Sequence, residues 1–463
     1  MTRALVVAAP ASGSGKTTVA TGIMAALRRR GTAVAPFKVG PDYIDPGYHT
    51  LAAGRPGRNL DPVLVGEERI LPLARHGSAG AQVAVVEGVM GLFDGRIPDG
   101  HGSTAHVAGL LRAPVVLVVD ARGQARSLAA LLHGFRSFDA ATDLAGVILN
   151  RVGSPRHEEV LRAAADEAGL PVLGALPRQD ALAVPSRHLG LVTAAEHGAA
   201  AVAAVDAMAA LVASHVDLGA LIDLARPLPP GAAWSPAEAL ATGGPTARPS
   251  DSSGRMCRSL RVGVFGGPAF TFGYAEHTEL LAAAGAQVAV VDPLRDDRLP
   301  DGTAALVIPG GFPEEHVAAL GANAGLRAAV RAFRGPVHAE CGGLLYLCAT
   351  LDGRPMAGVL PADATMSGRL TLGYRDAVAL SGSPLHAAGT RIAGHEFHHA
   401  AVTPRAGADP AWGWRGADPE GFVHGRVHAS FLHTHPAGAP DAVARFVAAA
   451  GSGSGSPDRA SVG

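Results

Sequence analysis

The chain is almost without lysine. Of its 39 basic side chains, only Lys16 and Lys38 are lysines, and all the others are arginines. Coding bias with two chance survivors is the plain alternative. Both survivors, however, stand beside a suspected phosphate loop, where a compact ammonium cannot be exchanged for a bulky planar guanidinium. Cysteine is scarce as well. Cys257, Cys341 and Cys348 are too few and too scattered for a disulfide framework or a C-x-x-C metal site, and they fit a reducing cytoplasm. No apolar run approaches the ~20 residues needed to span a bilayer. The opening "MTRALVVAAP" gives way too quickly to Gly and Ser to be a signal peptide. A formal charge of -1, with 17% charged residues, gives no electrostatic reason to expect a nucleic-acid or membrane partner.

What is present is 463 residues at 48% hydrophobic content, a soluble globular composition too long for one ordinary core. Short β-branched runs ("ALVVAA", "TAVAPFKV", "AQVAVVEG", "APVVLVVDA", "LAGVILNRV", "PVLGALP") alternate with helical stretches, beginning with a helix from about Lys16 to Arg30. That alternation predicts a buried parallel sheet with helices on both faces over residues 1–225. Residues 226–257 are rich in Pro, Gly, Ser and Ala without usable periodicity and read as a linker. The alternation restarts at "SLRVGVFGG", giving a second α/β domain over 258–448. The tail 449–463 reads as disordered.

"PASGSGKT" matches G-x-x-x-x-G-K-[ST] except for Pro10 in the first glycine position, and it joins an apolar strand to a helix. Backbone N–H groups of Ser12, Gly13, Ser14, Gly15 and Lys16 would wrap a phosphate. Lys16 would meet the β/γ oxygens, and Thr17, followed by Thr18, would bind Mg²⁺. The loop therefore predicts ATP and magnesium. Glu87, ending the strand of "VAVVEGVMGLFDG", is the natural second magnesium ligand; Asp94 follows it, and Asp120 is a weaker candidate. Asp42 and Asp45, just past the strand of Lys38, are either solvated or capping acids, or else ligands of metal or substrate. Asn150, at a strand end, could read the adenine edge or be a turn residue.

In the second half, "GPVHAECGGLLYLCA" sets Cys341 at a strand-to-helix turn, where a sharp bend projects the thiol and the helix N-terminus lowers its pKa. The N–H groups of Gly342 and Gly311 are the expected oxyanion donors. "VHASFLHTHP" ends a strand on His433, the expected general base, whereas Cys348 reads as a buried, inert thiol. "HEFHH", residues 395–399, satisfies the H-E-x-x-H zinc motif, but that motif needs a helix. Here "RIAGHEFHHAAV" reads as strand, with His395, Phe397 and His399 on one face and Glu396 and His398 on the other.

A thiolate with an oxyanion hole can release ammonia from a carboxamide, and a phosphate loop with Mg²⁺ can phosphorylate a carboxylate. Making an amide in water needs both, so the joint expectation is an ATP- and glutamine-dependent amidotransferase. Ammonia would need a closed route between the domains, since free diffusion would lose it. The ordered set "AAPASGSGKTT", "PFKVGPDYIDPGYH", "VVEGVMGLFDG", "PSRHLGLV", "VIPGGFPE", "AECGGLLYL", "GHEFHH" and "SFLHTHP" resembles the cobyrinic acid and hydrogenobyrinic acid a,c-diamide synthases over all but the linker and tail.

The resemblance implies a dethiobiotin-synthetase-like P-loop domain and a class I, flavodoxin-like glutamine amidotransferase domain. It also implies amidation of two corrin-ring carboxylates in cobalamin biosynthesis, with glutamine and a corrinoid as partners and monomer or homodimer left open. Carried over by position, Cys341 is the nucleophile and His433 its base. Lys16, Thr17 and Glu87 belong to the ATP–Mg²⁺ site, with Asp42 as a further metal ligand. Lys38, Asp45 and Asp94 face the carboxylate being activated. Where many class I members have Gly two residues before the Cys, this chain has Ala339. Where they have H-P-E, it has His433-Thr434-His435, which implies a Cys–His dyad without a third member. Rival readings are CTP synthase, the amidating enzyme of nickel sirohydrochlorin, and a nucleotide switch with an inactive second domain.

Overall fold

The computed structural model describes residues 1–178, 186–187, 190–191, 193–242 and 260–452. Cys257 and half of "PSRHLGLV" lie outside these residues. The chain forms two compact units, Met1–Trp234 and Ser235–Gly463.

The first unit is an α/β sheet of the kind its apolar runs predict. Strands β1 (Arg3–Ala8), β2 (Val34–Val39), β3 (Arg58–Leu60), β4 (Val83–Glu87), β5 (Val115–Asp120), β6 (Leu144–Val152) and β7 (Val172–Pro177) lie in the order β3-β2-β4-β1-β5-β6-β7. All neighbours in that order are parallel. β2 and β4 are buried at every position, as strands covered on both faces must be. Helix α1 (Lys16–Arg29) leaves the end of β1, and α2 (Asp45–Ala53) leaves the end of β2. The phosphate loop and the Asp42–Asp45 loop thus emerge at the carboxyl ends of strands on either side of β4, where ligands of open α/β sheets bind.

The second unit carries β8 (Leu260–Phe265), β9 (Ala286–Val291), β10 (Thr303–Ile308), β11 (Val337–Glu340), β14 (Phe422–His424) and β15 (Val427–Ser430) in the order β9-β8-β10-β11-β15-β14. Only β14 runs antiparallel to its neighbour. A long antiparallel pair, β12 (Asp363–Ala379) and β13 (Arg391–Thr403), belongs to a separate sheet. β13 contains "HEFHH", so the motif is strand, as its flanking residues predict.

The predicted linker is partly built into the units. Arg226–Pro227 pairs antiparallel with β1, and Trp234 donates its backbone N–H to the Pro72 carbonyl. Pro236–Thr242 is a helix with Ser235 accepting from Glu238 N at its start. The C-terminal helix runs Pro440–Gly451, past the predicted end at 448. No helix among the described residues is long and apolar enough to cross a membrane.

Candidate active sites

The phosphate loop owes its shape to two left-handed glycines, Gly13 (φ +79°) and Gly15 (φ +92°). Asn150, at the end of β6, donates from Nδ2 to the Ser14 carbonyl at 2.9 Å, and Arg151 donates to the Gly13 carbonyl at 3.0 Å. A Cβ on Gly15 would stand 2.2 Å from Asn150 Nδ2, so the brace needs glycine there. The Asn150 amide therefore braces the loop, while its Oδ1 accepts from Arg151 N. Asp120 is likewise engaged, by Arg122 and Arg151. Lys16 Nζ donates to the Met90 carbonyl at 2.5 Å. Burial, and then the neighbouring Lys38 cation, pull Lys16 below a lysine's usual pKa. Asp94 accepts from Gly91 N at 2.9 Å, which folds the loop after β4 toward the phosphate loop.

Around Glu87 lies a buried charge network. Lys38 Nζ meets Asp45 Oδ2 at 2.6 Å and Glu87 Oε1 at 2.9 Å; Asp42 stands off at 3.8 Å. His49 Nε2 lies 2.6 Å from Glu87 Oε2. Thr17 Oγ1 donates toward Glu87 Oε1 at 2.7 Å, with Asp45 Oδ2 at 3.2 Å. Burial alone would raise the Glu87 pKa, but Lys38, His49 and Thr17 together hold it well below the carboxylate range. Burial and the nearby Asp42 raise Asp45 instead. Burial would lower Lys38, yet its three acidic neighbours hold it above its usual value.

The two aspartates differ from their predicted places. Asp42 Oδ1 accepts from Ile44 N and Asp45 N and caps the turn into α2, while Asp45 is the one grouped with Thr17 and Glu87. Lys38 lies inside the acid cluster instead of facing outward to a substrate carboxylate. Glu67, His101 and His106 also converge, with 3.4 Å from Glu67 Oε1 to each ring. There Gly102 N–H donates to His106 Nδ1, so Nε2 carries the proton and points it at Glu67. That is a hydrogen-bonded cluster, not a metal donor set.

In the second unit, β11 and β15 are parallel neighbours, and Cys341 N–H donates to the Ser430 carbonyl at 2.7 Å. Cys341 and His433 thus leave the same ends of adjacent strands. Cys341 has φ 47° and ψ −102°, the strained turn expected of a projected nucleophile, at the start of helix α3 (Gly342–Leu347). The helix sits so close to β10 that a Cβ on Gly343 would lie 2.0 Å from the Ile308 carbonyl. A Cβ on Gly342 would lie 3.0 Å from Gly311 N, which puts the two expected oxyanion donors side by side.

Two features define the surroundings of the thiol. Burial, with Glu314, Glu340 and Glu396 adding to it, raises the Cys341 thiol above its usual pKa and outweighs the lowering pull of the Gly342 N–H at the helix start. The second is a carboxylate near the histidine. Glu340, the residue before the nucleophile, places Oε2 3.6 Å from His433 Nδ1. Its Oε1 accepts from Thr434 N at 3.1 Å and Thr434 Oγ1 at 2.9 Å, and stands 3.2 Å from His338 Nε2. Burial would raise this carboxyl, but His338 and His433 hold it well below the usual range. A carboxylate from the strand that carries the cysteine thus stands near His433. His435 is buried against Tyr274, with ring centroids 4.1 Å apart, and Cys348 is fully buried.

Residues 5–192 match the CobQ/CobB/MinD/ParA nucleotide binding domain, and residues 261–440 match the CobB/CobQ-like glutamine amidotransferase domain. The hydrogenobyrinate a,c-diamide synthase of Mycobacterium tuberculosis is 59% identical over 457 residues, 96% of this chain and 97% of that protein. Its namesake in Streptomyces coelicolor is 59% identical over 96% of each chain. The cobyrinate a,c-diamide synthase of Syntrophotalea carbinolica is 42% identical over 96% of this chain and 97% of its own. A nucleotide-binding unit and a glutamine amidotransferase unit joined in this order, and matched end to end, place the chain in the family of hydrogenobyrinate and cobyrinate a,c-diamide synthases.

Proposed function

We propose that the protein amidates the a- and c-side-chain carboxylates of hydrogenobyrinic acid, using ATP and glutamine, as a step of cobalamin biosynthesis in the cytoplasm. The observation that carries this reading is that a phosphate loop and a Cys–His pair stand on one chain whose hydrogenobyrinate-named relatives are 59% identical over 96% of it. The relative named for the cobalt-bearing acid is 42% identical, which favours the metal-free ring.

In the first unit the substrate carboxylate attacks the γ-phosphorus of ATP, ADP leaves, and the acyl phosphate gains a leaving group that a free carboxylate lacks. Thr17 Oγ1, Glu87 and Asp45 form an all-oxygen, anionic donor set of the kind that suits a hard divalent cation, and they would hold Mg²⁺. When bound, Mg²⁺ neutralises charge on the phosphoryl oxygens. Lys16 exchanges the Met90 carbonyl for phosphate oxygens. Lys38 keeps the two acids ordered, and Asp94 borders the entry of the substrate carboxylate.

In the second unit Cys341 sulfur attacks the glutamine carboxamide carbon as its proton passes to His433. The N–H groups of Gly311 and Gly342 receive the developing oxyanion. His433 returns the proton to the leaving nitrogen, ammonia departs, and water activated by His433 cleaves the thioester to glutamate. Ammonia then attacks the acyl phosphate, forming the C–N bond and releasing phosphate. Glu340 orients the imidazole and stabilises its cation, the part a third carboxylate plays in such triads.

The test supplies Mg-ATP, glutamine and either ring acid and follows product mass and ADP. Two successive amidations of hydrogenobyrinic acid are expected, with Cys341→Ala working only on added ammonium. ADP release without mass change on either ring would remove the substrate assignment. Glutamine dependence that survives in Cys341→Ala would remove the mechanism.

A further inference from the structure

The helix that brings Asp45 to the magnesium set brings a histidine with it. α2 begins at Asp45, and His49 follows four residues on, one turn along the same face. His49 and Glu87 are both 0% exposed, and the ring Nε2 lies 2.6 Å from Glu87 Oε2. Burying an imidazole costs free energy unless its polar atoms are bonded, and buried side chains usually find that partner in the backbone or in water. His49 does not. Its Nδ1 is buried without a hydrogen-bond partner among the described residues, so the contact with Glu87 is the ring's single polar tie. An ionised carboxylate can only accept, so Nε2 carries the proton and donates it.

The other oxygen of Glu87 has different partners. Lys38 and Glu87 stand in register on β2 and β4, and Oε1 accepts from Lys38 Nζ at 2.9 Å and from Thr17 Oγ1 at 2.7 Å. The same two donors reach Asp45 Oδ2, at 2.6 and 3.2 Å. Glu87 Oε1, Asp45 Oδ2 and Thr17 Oγ1 therefore stand together, while Oε2 is taken by the ring. The last torsion of a glutamate is soft and nearly two-fold, so a carboxylate held at one oxygen can turn its plane or exchange its ends. A donor on each oxygen stops both.

We propose that His49 is a positioning residue for the divalent cation. By holding Oε2 it fixes the plane of the Glu87 carboxylate and leaves Oε1 as the oxygen offered beside Thr17 Oγ1 and Asp45 Oδ2. α2 thereby sets two of the three donors at once, Asp45 directly and Glu87 through the ring. The inference rests on the reading of Thr17, Glu87 and Asp45 as the Mg²⁺ set.

Mn²⁺ titrated against the full chain with a non-hydrolysable ATP analogue, and followed by EPR, tests it. His49→Leu, which keeps bulk but cannot donate, should weaken Mn²⁺ binding about 10- to 100-fold, the usual effect of removing a hydrogen-bond partner from a metal ligand. His49→Gln, which keeps an N–H donor, should recover much of that loss. Binding of the analogue without metal should show that the phosphate loop is intact in both variants. A packing role predicts the reverse order, with Leu tolerated better than Gln, and that order overturns the proposal. So does wild-type Mn²⁺ affinity in His49→Leu. The wild type supplies a check that needs no variant. NMR of isotope-labelled histidine rings should show the His49 Nε2–H retained when Mg²⁺ and the analogue are added; its loss would make the ring itself a ligand and overturn the positioning role. If the wild type takes up the analogue but no divalent cation, the reading of the magnesium set falls, and the inference with it.

Discussion

At the phosphate site, Lys38, Asp45, Glu87 and His49 are all buried and joined by contacts of 2.6 to 2.9 Å. At the thiol site the nucleophile rests uncharged. Burial raises Cys341 and pushes His395 down to about 3, and Glu340 is the nearest ionised group to His433. The difference follows from the chemistry. Phosphoryl transfer redistributes charge that is already present on its substrates, so opposite charges can be fixed in advance and need no reorganisation. A thiol nucleophile held permanently ionised in an apolar turn would cost desolvation at all times, so its charge is made only when His433 takes the proton.

Breaking the contrast on the charged side should have the largest effect. Lys38→Met leaves Glu87 and Asp45 buried without their cation, and removal of one partner from such a cluster costs about 3–5 kcal/mol. Denaturant unfolding should show that loss, and a variant as stable as the wild type would mean the network is not prebuilt. On the neutral side, Glu340→Gln keeps the shape but removes the charge that stabilises the His433 cation. Glutaminase kcat should fall about 100-fold, with KM for glutamine nearly unchanged. A change in KM alone would make Glu340 a packing residue. The smallest effect concerns the thiol itself. Because burial raises its pKa, the thiolate fraction should keep growing about tenfold per pH unit, and alkylation of Cys341 by iodoacetamide should climb through about pH 9 with no plateau. A plateau near neutrality would show a thiolate stabilised at rest and erase the contrast.

Both sheets were legible because continuous apolar runs such as "AQVAVVEG" can only be strands covered on both faces, and the phosphate loop and cysteine turn each join a strand to a helix. Roles set by distant partners were not. Asp42 and Asp45 are three residues apart in one loop, and only the start of α2 decides that the first caps while the second turns inward. Asn150 meets a loop 136 residues away. Glu340 stood in plain view beside the cysteine, but the expected place for its carboxylate was after His433, and only the pairing of β11 with β15 brings the two together. In the predicted linker, "SPAE" carried a readable helix-start signal, Ser followed three residues later by Glu, that the surrounding prolines and glycines obscured.

The scarcity of lysine has a practical side. Lys16 is 7% exposed and Lys38 4%, so among the described residues the outer surface presents no lysine amine to solvent. An amine-directed acylating label therefore has only the chain's α-amino group and these two sites to find. Whatever it deposits internally is a direct footprint of whether the nucleotide cradle is open or filled.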